Sequence, residues 1–333
     1  MSRIASRITL FLFTFAAAMA FADSSKSWTI TQLPTVAGSA GGDAMAVNNR
    51  GDIVGDSLVF DASANTFRPH TTRWQAGVPQ DLGQGEAFDV NDHGTIAGTH
   101  FPGGEAVFRD GAWTVLGVGA PGFPLFVNDH DVVASSFPFV GVEHAYTFRD
   151  GVVTDLGTLG GTESQSAAIN NRGDVVGFSR TAGNASIHPF LYRDGRMRDL
   201  GTLGRTQGKA IDVNNHGVVI GYVSDVFDGS PVAFIFDGAM RTLLPGGPCC
   251  MFPSAINDRG DVVGTVNGVG AFLFEDGKLT RLDQLPAVKA AGWRQILPTD
   301  INDRGWIVGR GILDRPLAPG EWPFKPFVLK RGE

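Results

Sequence analysis

Two adjacent cysteines, Cys249 and Cys250, are the only cysteines in the 333-residue chain and carry its most reactive side chains. An oxidising compartment favours a disulfide between them. Such a bond is strained, because neighbouring Cα atoms lie about 3.8 Å apart and a disulfide usually spans roughly 4.4–6.8 Å. The pair is therefore a vicinal disulfide, two thiols, or a link to another chain. We expect the vicinal disulfide, which would stiffen the loop that holds it.

The seven histidines do not form a metal-binding pattern. Three of them occupy a turn position that is arginine in the related turns of the chain: His93, His130 and His216. Three others each begin a different predicted strand: His70, His144 and His188. No pair has the His-Glu-x-x-His spacing of a zinc site, so we expect no metal and no cofactor. The histidines and arginines at these turn positions are either solvent-exposed tips of the turns or a basic rim that attracts an anionic partner.

Motifs for catalysis are missing from the sequence. There is no G-x-S-x-G elbow and no Walker loop, and the glycine-rich stretch at 156–161 is not followed by a helical pattern. The acidic turn Asn257–Gly260 lacks the twelve-residue ligand ladder of a calcium loop. Aspartates near strand ends are candidates for a pair of glycosidase acids, but spacing along the chain does not bring two carboxylates together. Enzymatic activity stays open, and the residues favour a protein that is not an enzyme.

A ten-residue phrase occurs seven times in the chain. Its clearest copy, Ala168–Gly177, reads A-I-N-N-R-G-D-V-V-G. The first asparagines of the copies, which define repeats 1 to 7, are Asn48, Asn91, Asn128, Asn170, Asn214, Asn257 and Asn302. Successive copies are 43, 37, 42, 44, 43 and 45 residues apart. A period of about 40–45 residues is typical of the four-stranded blade of a β-propeller.

Each copy of the phrase predicts a β-hairpin. An apolar residue leads into Asn-x-x-Gly, and an apolar pair follows. Asparagine bonds to the backbone ahead of it, and glycine at the fourth turn position suits a type I turn closed by a left-handed residue. In repeat 3, Asp131 replaces this glycine and Ser135 replaces the last one. We expect the turn of repeat 3 to be the least regular.

A second phrase follows and predicts another hairpin. Its best forms are His144–Gly161 and His188–Gly204, in which an apolar run, Asp-Gly and a run ending in Asp-Leu-Gly succeed one another. One repeat therefore contains four short strands, which we call the inner, second, third and outer strands. The second and third strands are apolar at successive positions, which indicates strands covered on both faces. Neighbouring blades of a propeller provide this environment.

The two ends of the repeated region look like complementary halves of one hairpin. Trp28–Leu33 resembles an outer strand with no third strand before it, and Lys325–Gly332 resembles a third strand with no outer strand after it. If Trp28–Leu33 pairs beside Pro326–Leu329, the N-terminal strand completes the last blade and no sheet edge stays open. The expected fold is all-β: a seven-bladed β-propeller of four-stranded antiparallel blades over residues 23–333, closed by the N-terminal strand joining the C-terminal blade.

The first 22 residues predict a secretory signal peptide. Arg3 and Arg7 precede the apolar run Ile8–Met19, and A-F-A at 20–22 is a cleavage pattern. The expected location is secreted, either extracellular or periplasmic. Loss of the two arginines changes the formal charge from −7 to −9, and an acidic chain without a basic run offers little to nucleic acid. No other segment is long and apolar enough to span a membrane, so we expect none in the mature chain.

In the expected propeller, the long connections of blades 6, 7 and 1 meet on one face. They are Asp56–Pro69, Pro245–Phe252, Asp283–Pro298 and Arg310–Phe324. Long loops on a rigid scaffold commonly carry a binding site. We therefore predict a ligand site built from six residues of these loops: Trp293, Arg294, Trp322, Glu321, Arg68 and Asp314. The alternative is that the loops only cover the junction of the ring.

The combination of the two phrases resembles a known family. His-Ala-aromatic, Asp-Gly and D-L-G-T-L-G-G, followed by A-I-N-x-R-G-x-V-V-G, is similar to the bacterial probable extracellular proteins with HAF repeats. The likeness covers nearly all of the mature chain and is clearest in repeats 3, 4 and 6, although His-Ala itself occurs only at His144-Ala145. It implies secretion and a repeat fold, and it supplies no catalytic residues. We expect a secreted binding or interaction scaffold for an extracellular glycan or protein; the alternative is a hydrolase or lyase that acts on an extracellular polysaccharide.

Overall fold

The computed structural model describes residues 27–118, 123–139, 142–225 and 230–332. The predicted signal peptide lies outside the described residues. The described chain is all-β, with about 4% helix, and its strands form antiparallel sheets of four or more strands. This confirms that the fold is all-β and built from antiparallel sheets.

Over these residues the chain forms 27 strands and one short α-helix. The strands are β1 (Trp28–Gln32), β2 (Ser39–Val47), β3 (Ile53–Asp61), β4 (Thr66–Gln75), β5 (Val78–Val90), β6 (Ile96–His100), β7 (Gly104–Arg109), β8 (Ala112–Val115), β9 (Phe126–Val127), β10 (Val133–Phe139), β11 (Val142–Arg149), β12 (Val152–Asp155), β13 (Gly160–Ile169), β14 (Val175–Thr181), β15 (Ile187–Arg193), β16 (Arg196–Asp199), β17 (Gln207–Val213), β18 (Val219–Ser224), β19 (Val232–Phe236), β20 (Met240–Thr242), β21 (Met251–Ile256), β22 (Val262–Val266), β23 (Gly270–Glu275), β24 (Lys278–Arg281), β25 (Trp293–Ile301), β26 (Ile307–Leu313) and β27 (Lys325–Arg331). The helix α1 is Pro286–Ala290, and single 3₁₀ turns lie at Ala182–Asn184 and Leu282–Gln284.

The asparagine of each phrase builds the turn between the inner and second strands. In repeat 4, Oδ1 of Asn170 accepts hydrogen bonds from the amides of Arg172 (3.0 Å) and Asp174 (2.9 Å). Gly173 closes the turn at a φ of 79°, in the left-handed region that a residue with a Cβ adopts only at a cost. The inner strand β13 and the second strand β14 pair on either side of this turn, which confirms the predicted hairpin.

The turn of repeat 3 is as regular as the others, so the expectation of an irregular turn is wrong. Asp131 has a φ of 55°, and its amide donates to the backbone oxygen of Asn128 at 3.0 Å, as the glycine amides do elsewhere. Its carboxylate accepts hydrogen bonds from Thr95 (2.8 Å) and Arg109 (2.6 Å) of repeat 2. These contacts offset the cost of a left-handed aspartate. The irregularity lies instead in the inner strand β9, which has only two residues.

The seven asparagines also join the repeats to one another. Each Nδ2 atom donates a hydrogen bond to the backbone oxygen of the next asparagine over 2.8–3.1 Å, and the last bond runs from Asn302 back to Asn48. At the next position the backbone amides donate to side-chain oxygens in the same order, from Asn49 to Asp92 and finally from Asp303 back to Asn49. The asparagines are only 3–5% exposed. Two complete rings of hydrogen bonds therefore connect the first repeat to the last.

The strands of the repeats pair into five sheets over the described residues. Repeats 5, 6 and 7 each form one four-stranded sheet, whereas repeats 1 and 2 share a seven-stranded sheet and repeats 3 and 4 an eight-stranded one. Repeats 1 and 2 are continuous because β5 is both the outer strand of repeat 1 and the inner strand of repeat 2. A single parallel pairing, of Glu143 with Glu163, joins repeats 3 and 4.

The chain ends pair as predicted. β1 lies antiparallel to β27, with Ile30 opposite Leu329 and Gln32 opposite Phe327. The side chains of Trp28 and Ile30 pack against the core cluster that contains Leu329 and Phe327. The N-terminal strand is therefore the outer strand of the sheet of repeat 7.

The core lies between neighbouring sheets. On β3, Ile53 packs with Val308 and Val328 of repeat 7, whereas the next residue, Val54, packs with Ile96 of repeat 2. Ile53 and Val54 are both almost completely buried. Successive apolar residues thus face opposite neighbours, which confirms that these strands are covered on both faces.

The long connections predicted on one face are in part regular structure, which corrects their bounds. Asp56–Pro69 is mostly an extension of β3 and β4, and Asp283–Pro298 contains α1 and the start of β25. The strands of this hairpin keep pairing as far as Asp61 and Thr66. Just before this end, the rings of Phe60 and Phe67 meet edge to face with centroids 5.4 Å apart. Cross-strand aromatic pairs stabilise such a ladder beyond the body of a sheet.

Candidate functional site

The inner strands surround a central cavity of about 250 Å³. Its wall contains the turn residues of both hydrogen-bonded rings, such as Asn49 and Asp92, and apolar residues from earlier positions of the inner strands, such as Met45, Phe88 and Ile211. The ring residues already bond to one another. The polar part of this cavity is therefore occupied with holding the repeats together.

Three aspartates that line the central cavity have raised pKa values. Asp89, Asp212 and Asp300 occupy the same inner-strand position in repeats 2, 5 and 7. Burial raises the pKa of Asp300 to about 7 and the pKa values of Asp89 and Asp212 to about 6, against the opposing effect of backbone hydrogen bonds. Perturbed acids in a cavity are typical of catalytic sites, so the role of these three bears directly on function.

Each of the three aspartates binds two backbone amides. Asp300 accepts hydrogen bonds from its own neighbour Ile301 (2.7 Å) and from Val47 of the next repeat (2.8 Å). Asp89 does the same between repeats 2 and 3, and Asp212 between repeats 5 and 6. Three carboxylates thus satisfy six inner-strand amides, and we interpret them as clamps between repeats. Among the described residues, no three histidines, cysteines or acids are grouped so as to hold a metal ion.

A larger cavity, of about 490 Å³, lies between repeats 6 and 7. We call it the seam groove. Among its lining residues are Phe252, Asn267, Val269, Asp283, Arg294 and Gln295. Phe252 and Val269 expose 37% and 42% of their surface. The groove therefore offers an aromatic ring, amide groups and charged side chains to solvent.

The seam groove forms where a short turn lies beside a longer connection. β22 and β23 are joined by the three residues Asn267–Val269, whereas β24 and β25 are joined by residues 282–292, which include α1. The unequal connections leave a concave surface between them. Gly270 permits their close approach, because a Cβ atom at this position would lie 2.6 Å from a carboxylate oxygen of Asp283.

One charge in the seam groove is paired and the other is not. Asp283 accepts hydrogen bonds from Arg281 (2.6 and 2.8 Å) and from Gln284 (2.7 Å). Burial raises the pKa of Asp283, but these hydrogen bonds outweigh burial and hold the pKa below its ordinary value. Arg294 is exposed and has no ion-pair partner among the residues that the structure describes. Its guanidinium group is therefore available to a ligand.

Of the six residues predicted to bind a ligand, Arg294 lines the seam groove and its neighbour Trp293 does not. Trp293 is 6% exposed and packs in the core, where its ring meets Phe327 edge to face with centroids 5.7 Å apart. Successive residues of a strand point to opposite faces, which separates the two. A ligand contact by Trp293 would require the indole to leave the core.

Glu321 and Trp322 belong to the connection between β26 and β27. Glu321 forms ion pairs with Arg315 and with the buried Lys325 (2.8 Å). The amide of Trp322 donates to the backbone oxygen of Ala40 at 2.9 Å, and Lys325 Nζ donates to the same oxygen at 3.0 Å. This connection therefore lies against the start of repeat 1 and covers the junction, as in the alternative interpretation.

Arg68 and Asp314 also make internal contacts. Arg68 pairs with Asp61 across the extended hairpin at 2.8 Å, and the amide of Asp314 donates to the backbone oxygen of Gly292 at 2.7 Å. Neither residue lines the seam groove. The structure places Arg294 in the lining of the seam groove. That the six residues bind a ligand stays a prediction.

The histidines of the second phrase pair with aspartates of the outer strand. His144 Nδ1 lies 2.9 Å from Asp155, and the same pair recurs as His70–Asp81 and His188–Asp199. Asp155 also accepts a hydrogen bond from the amide of Gly157 at 2.7 Å. Sequence reasoning missed this pairing, although the separation of eleven residues is the same in all three repeats. The His and Asp-Leu-Gly of the phrase are therefore explained by strand pairing.

The two cysteines lie beside the seam groove. Cys249 is exposed and Cys250 is half-buried, and their Sγ atoms lie 3.0 Å apart. An S–S bond measures about 2.05 Å, so the sulfurs are in contact without being bonded in this structure. The vicinal disulfide stays a prediction.

Phe252 and Asp283 lie in two of the long connections but were not among the six residues predicted to bind a ligand, and Asn267 lies outside those connections, because the prediction rested on loop length. Asn267 belongs to one of the shortest connections, and the groove depends on its being short. The contrast between a three-residue turn and the long connection after it is a signal that the sequence contains. That contrast identifies a concave site only when the two connections are known to be neighbours.

No family model matches the chain, and no curated protein sequence matches it at a significant level. Solved structures do match. The β-propeller domain of the Trilobed protease from Pyrococcus furiosus superposes with a TM-score of 0.63 at 13% identity, covering 89% of this chain and 96% of that one. The fold is propeller-like.

Two further structures are similar to this propeller-like chain. An acylaminoacyl peptidase of Pyrococcus horikoshii has a TM-score of 0.63 at 10% identity; the match covers 89% of this chain but only 53% of the peptidase, so the chain spans about half of its length. A streptogramin B lyase has a TM-score of 0.52 at 12% identity, with 92% and 98% covered. At these identities the likeness concerns the fold alone. Within the described residues, no helix has the length and apolar character needed to cross a bilayer.

Proposed function

We propose that the protein is a secreted, seven-bladed β-propeller that serves as a binding scaffold. Seven repeats, two rings of seven hydrogen bonds and the pairing of β1 with β27 support seven blades closed by the N-terminal strand. Under this proposal the seven- and eight-stranded sheets each contain two blades that are joined by local pairing. The propeller-like neighbours support the same architecture.

Secretion and family membership rest on the sequence. The pattern of residues 1–22 supports export, and the two repeated phrases support membership in the HAF-repeat family of extracellular proteins. Export places the cysteines and the seam groove in contact with extracellular or periplasmic solutes.

We propose a short acidic oligosaccharide as the ligand of the seam groove. The unpaired guanidinium of Arg294 carries this proposal, since arginine binds carboxylates through two parallel hydrogen bonds. The exposed ring of Phe252 suits the apolar face of a sugar, and the amides of Asn267 and Gln295 suit its hydroxyl groups. Asp283 is already bound by Arg281, so it does not neutralise Arg294.

An array of neutral and uronate-containing oligosaccharides tests the proposal. The wild-type protein is expected to retain uronate-containing members, and Arg294→Ala is expected to weaken their binding by roughly 10- to 100-fold, the cost of losing a charged hydrogen-bond partner. Arg196→Ala, on an exposed hairpin turn of repeat 4, is the matched control. Equal binding by the wild type and Arg294→Ala, or retention of neutral glycans alone, would overturn the assignment.

One observation favours the alternative, a hydrolase or lyase that acts on an extracellular polysaccharide. Burial, together with the charges of Asp43 and Glu86, raises the pKa of the half-buried Asp56 to about 7, although Arg310 opposes the shift. An acid that keeps its proton near neutral pH beside another carboxylate is the arrangement of a general acid and its partner. Asp56 lies on β3 of repeat 1, opposite Asp43 of β2, and does not line the seam groove.

Polysaccharide cleavage by the wild type, Asp56→Asn and the control Asp61→Asn separates the two functions. Asp61 lies on the same hairpin and, like Asp56, is half-buried, but it is paired with Arg68. Catalysis requires that the wild type releases oligosaccharides and that Asp56→Asn alone loses this activity. If the wild type cleaves none of the polysaccharides, the binding proposal stands alone.

A further inference from the structure

Cys250 connects three segments next to the seam groove. Its amide donates a hydrogen bond to the backbone oxygen of Pro231 at 2.9 Å, and its own oxygen accepts one from the amide of Asn267 at 3.0 Å. Asn267 lines the groove, and so does Phe252, two residues further along the chain. The loop with the cysteines therefore holds part of the groove wall.

The two sulfur atoms are placed to react with each other. They lie 3.0 Å apart, so a movement of about 1 Å would bring them to bonding distance. Cys250 has a φ of 65°, in the left-handed region, and this backbone conformation accompanies the convergence of the adjacent side chains. Cys249 is exposed, so a solute can reach the pair from outside.

We propose that Cys249 and Cys250 form a reversible dithiol–disulfide couple that controls the rigidity of the seam groove. Because the bond would join adjacent residues it is strained, and strained, exposed disulfides are readily reduced again. A structural disulfide would resist reduction, whereas this one is expected to follow the redox state of its surroundings.

The oxidant is a small-molecule disulfide. The thiolate of exposed Cys249 attacks one sulfur of the oxidant, which forms a mixed disulfide and releases one thiolate. The thiolate of Cys250 then attacks Cys249 Sγ, which closes the Cys249–Cys250 bond and releases the second thiolate. Two electrons pass to the oxidant, which becomes two thiols, and the two protons lost by the cysteines end on these products. The reverse reaction uses two molecules of a small thiol.

Closing the bond removes rotational freedom from both side chains and from the peptide between them. The loop then holds the oxygen of Cys250 more firmly, so the hydrogen bond from Asn267 opens less often. Hydrogen exchange at the Asn267 amide reports this opening directly. The redox step and its effect on Asn267 need no ligand, so they are tested separately from oligosaccharide binding.

The experiment equilibrates the full chain in buffers of reduced and oxidised glutathione, then measures alkylation of the cysteines and amide exchange by mass spectrometry. The oxidised peptide is expected to lose two hydrogens and accept no alkyl group, and reduction is expected to restore two alkylation sites. Exchange at Asn267 is expected to slow by about threefold or more in the oxidised form. The internal control is Thr181, whose amide donates to Ser186 in the corresponding loop of repeat 4 and should not change.

Cys249→Ser and Cys250→Ser should each abolish the redox-dependent change in amide exchange at Asn267. Two variants are used so that the test still works if one of them does not fold. A stable mixed disulfide with glutathione at Cys249 would overturn the couple. Internal bond formation with unchanged exchange at Asn267 would overturn the link to the groove. A change at Asn267 that persists in both serine variants would overturn both.

Discussion

The turn end of the repeats and the seam groove are built from the same chain by opposite means. At the turn end, seven nearly identical phrases bond to one another, and Asn48 and Asn302 close the ring. At the seam groove, connections of different length and composition meet, and Arg294 is left without an ion-pair partner among the described residues. Repetition satisfies polar groups, whereas variation leaves some of them available.

The difference between the bonded turns and the seam groove indicates which residues of a repeat protein are candidates for function. The repeated asparagines hold neighbouring repeats together, and so do the half-buried Asp89, Asp212 and Asp300, which occupy one inner-strand position in three of the repeats. Their raised pKa values follow from burial and do not by themselves indicate catalysis. The candidate binding residues are those that break the pattern.

The largest expected effect comes from removing β1, the strand that pairs with β27. A chain that starts at Leu33 lacks β1 and should lose roughly 5 kcal/mol or more of unfolding free energy, from about 1 kcal/mol per ladder hydrogen bond and about 1 kcal/mol for each half-buried apolar side chain. The exposed edge of β27 should also promote association. Urea unfolding and sedimentation measure both effects. A chain that starts at Ser27 is the control, and equal stability of the two chains would contradict closure by β1.

The next largest effect is expected at a ring asparagine. Asn170→Ala removes the acceptor of the Arg172 and Asp174 amides and the donor to Asn214. Leaving these buried groups unpaired should cost about 3 kcal/mol. Gln32→Ala, an exposed amide on β1, is the matched control and should change stability by less than about 0.5 kcal/mol. If both substitutions have similar effects in urea unfolding, the rings are not what holds the repeats together.

A smaller effect is expected from pH. The pKa of Asp300 is raised from 3.8 to about 7, so the folded state prefers the protonated acid. Its contribution to stability is fully present below about pH 4 and is lost as the pH rises through about 7. Asp300→Ala introduces the residue that repeats 1, 4 and 6 have at this position.

Melting temperatures of the wild type and Asp300→Ala between pH 4 and 8 measure this contribution. The wild type should lose more stability than the variant as the pH rises, because the variant has no carboxylate to ionise there. Parallel curves would show that Asp300 is not protonated preferentially in the folded protein.

The smallest effect on stability is expected in the seam groove. Arg294→Ala should change the unfolding free energy by less than about 0.5 kcal/mol, because the side chain is exposed and makes no ion pair with a described residue. Thermal unfolding of this variant beside Arg281→Ala gives the comparison, since Arg281 is bonded to Asp283. A larger loss for Arg294→Ala than for Arg281→Ala would mean that Arg294 is a structural residue.

Much of the fold was predictable from local pattern. The phrase around Asn170 predicted a hairpin, because the turn chemistry of asparagine and glycine acts within a few residues. The matching halves at Trp28–Leu33 and Pro326–Leu329 predicted the pairing of the chain ends, which the structure has. Trp293 was predicted as a ligand contact and lies in the core, because a loop prediction cannot tell where the next strand begins.

The sequence by itself determined the repeat period, the hairpins, the strands buried on both faces and the partner of the N-terminal strand, since these depend on residue types at short, regular spacing. Only the tertiary structure decided that three aspartates clamp six amides, that Arg294 faces a groove and that the cysteine sulfurs converge beside it. These features depend on contacts between segments that lie about 15 to 45 residues apart in the chain, or, for Asp300 and Val47, at its opposite ends. Spacing along the chain carries no direct record of such contacts.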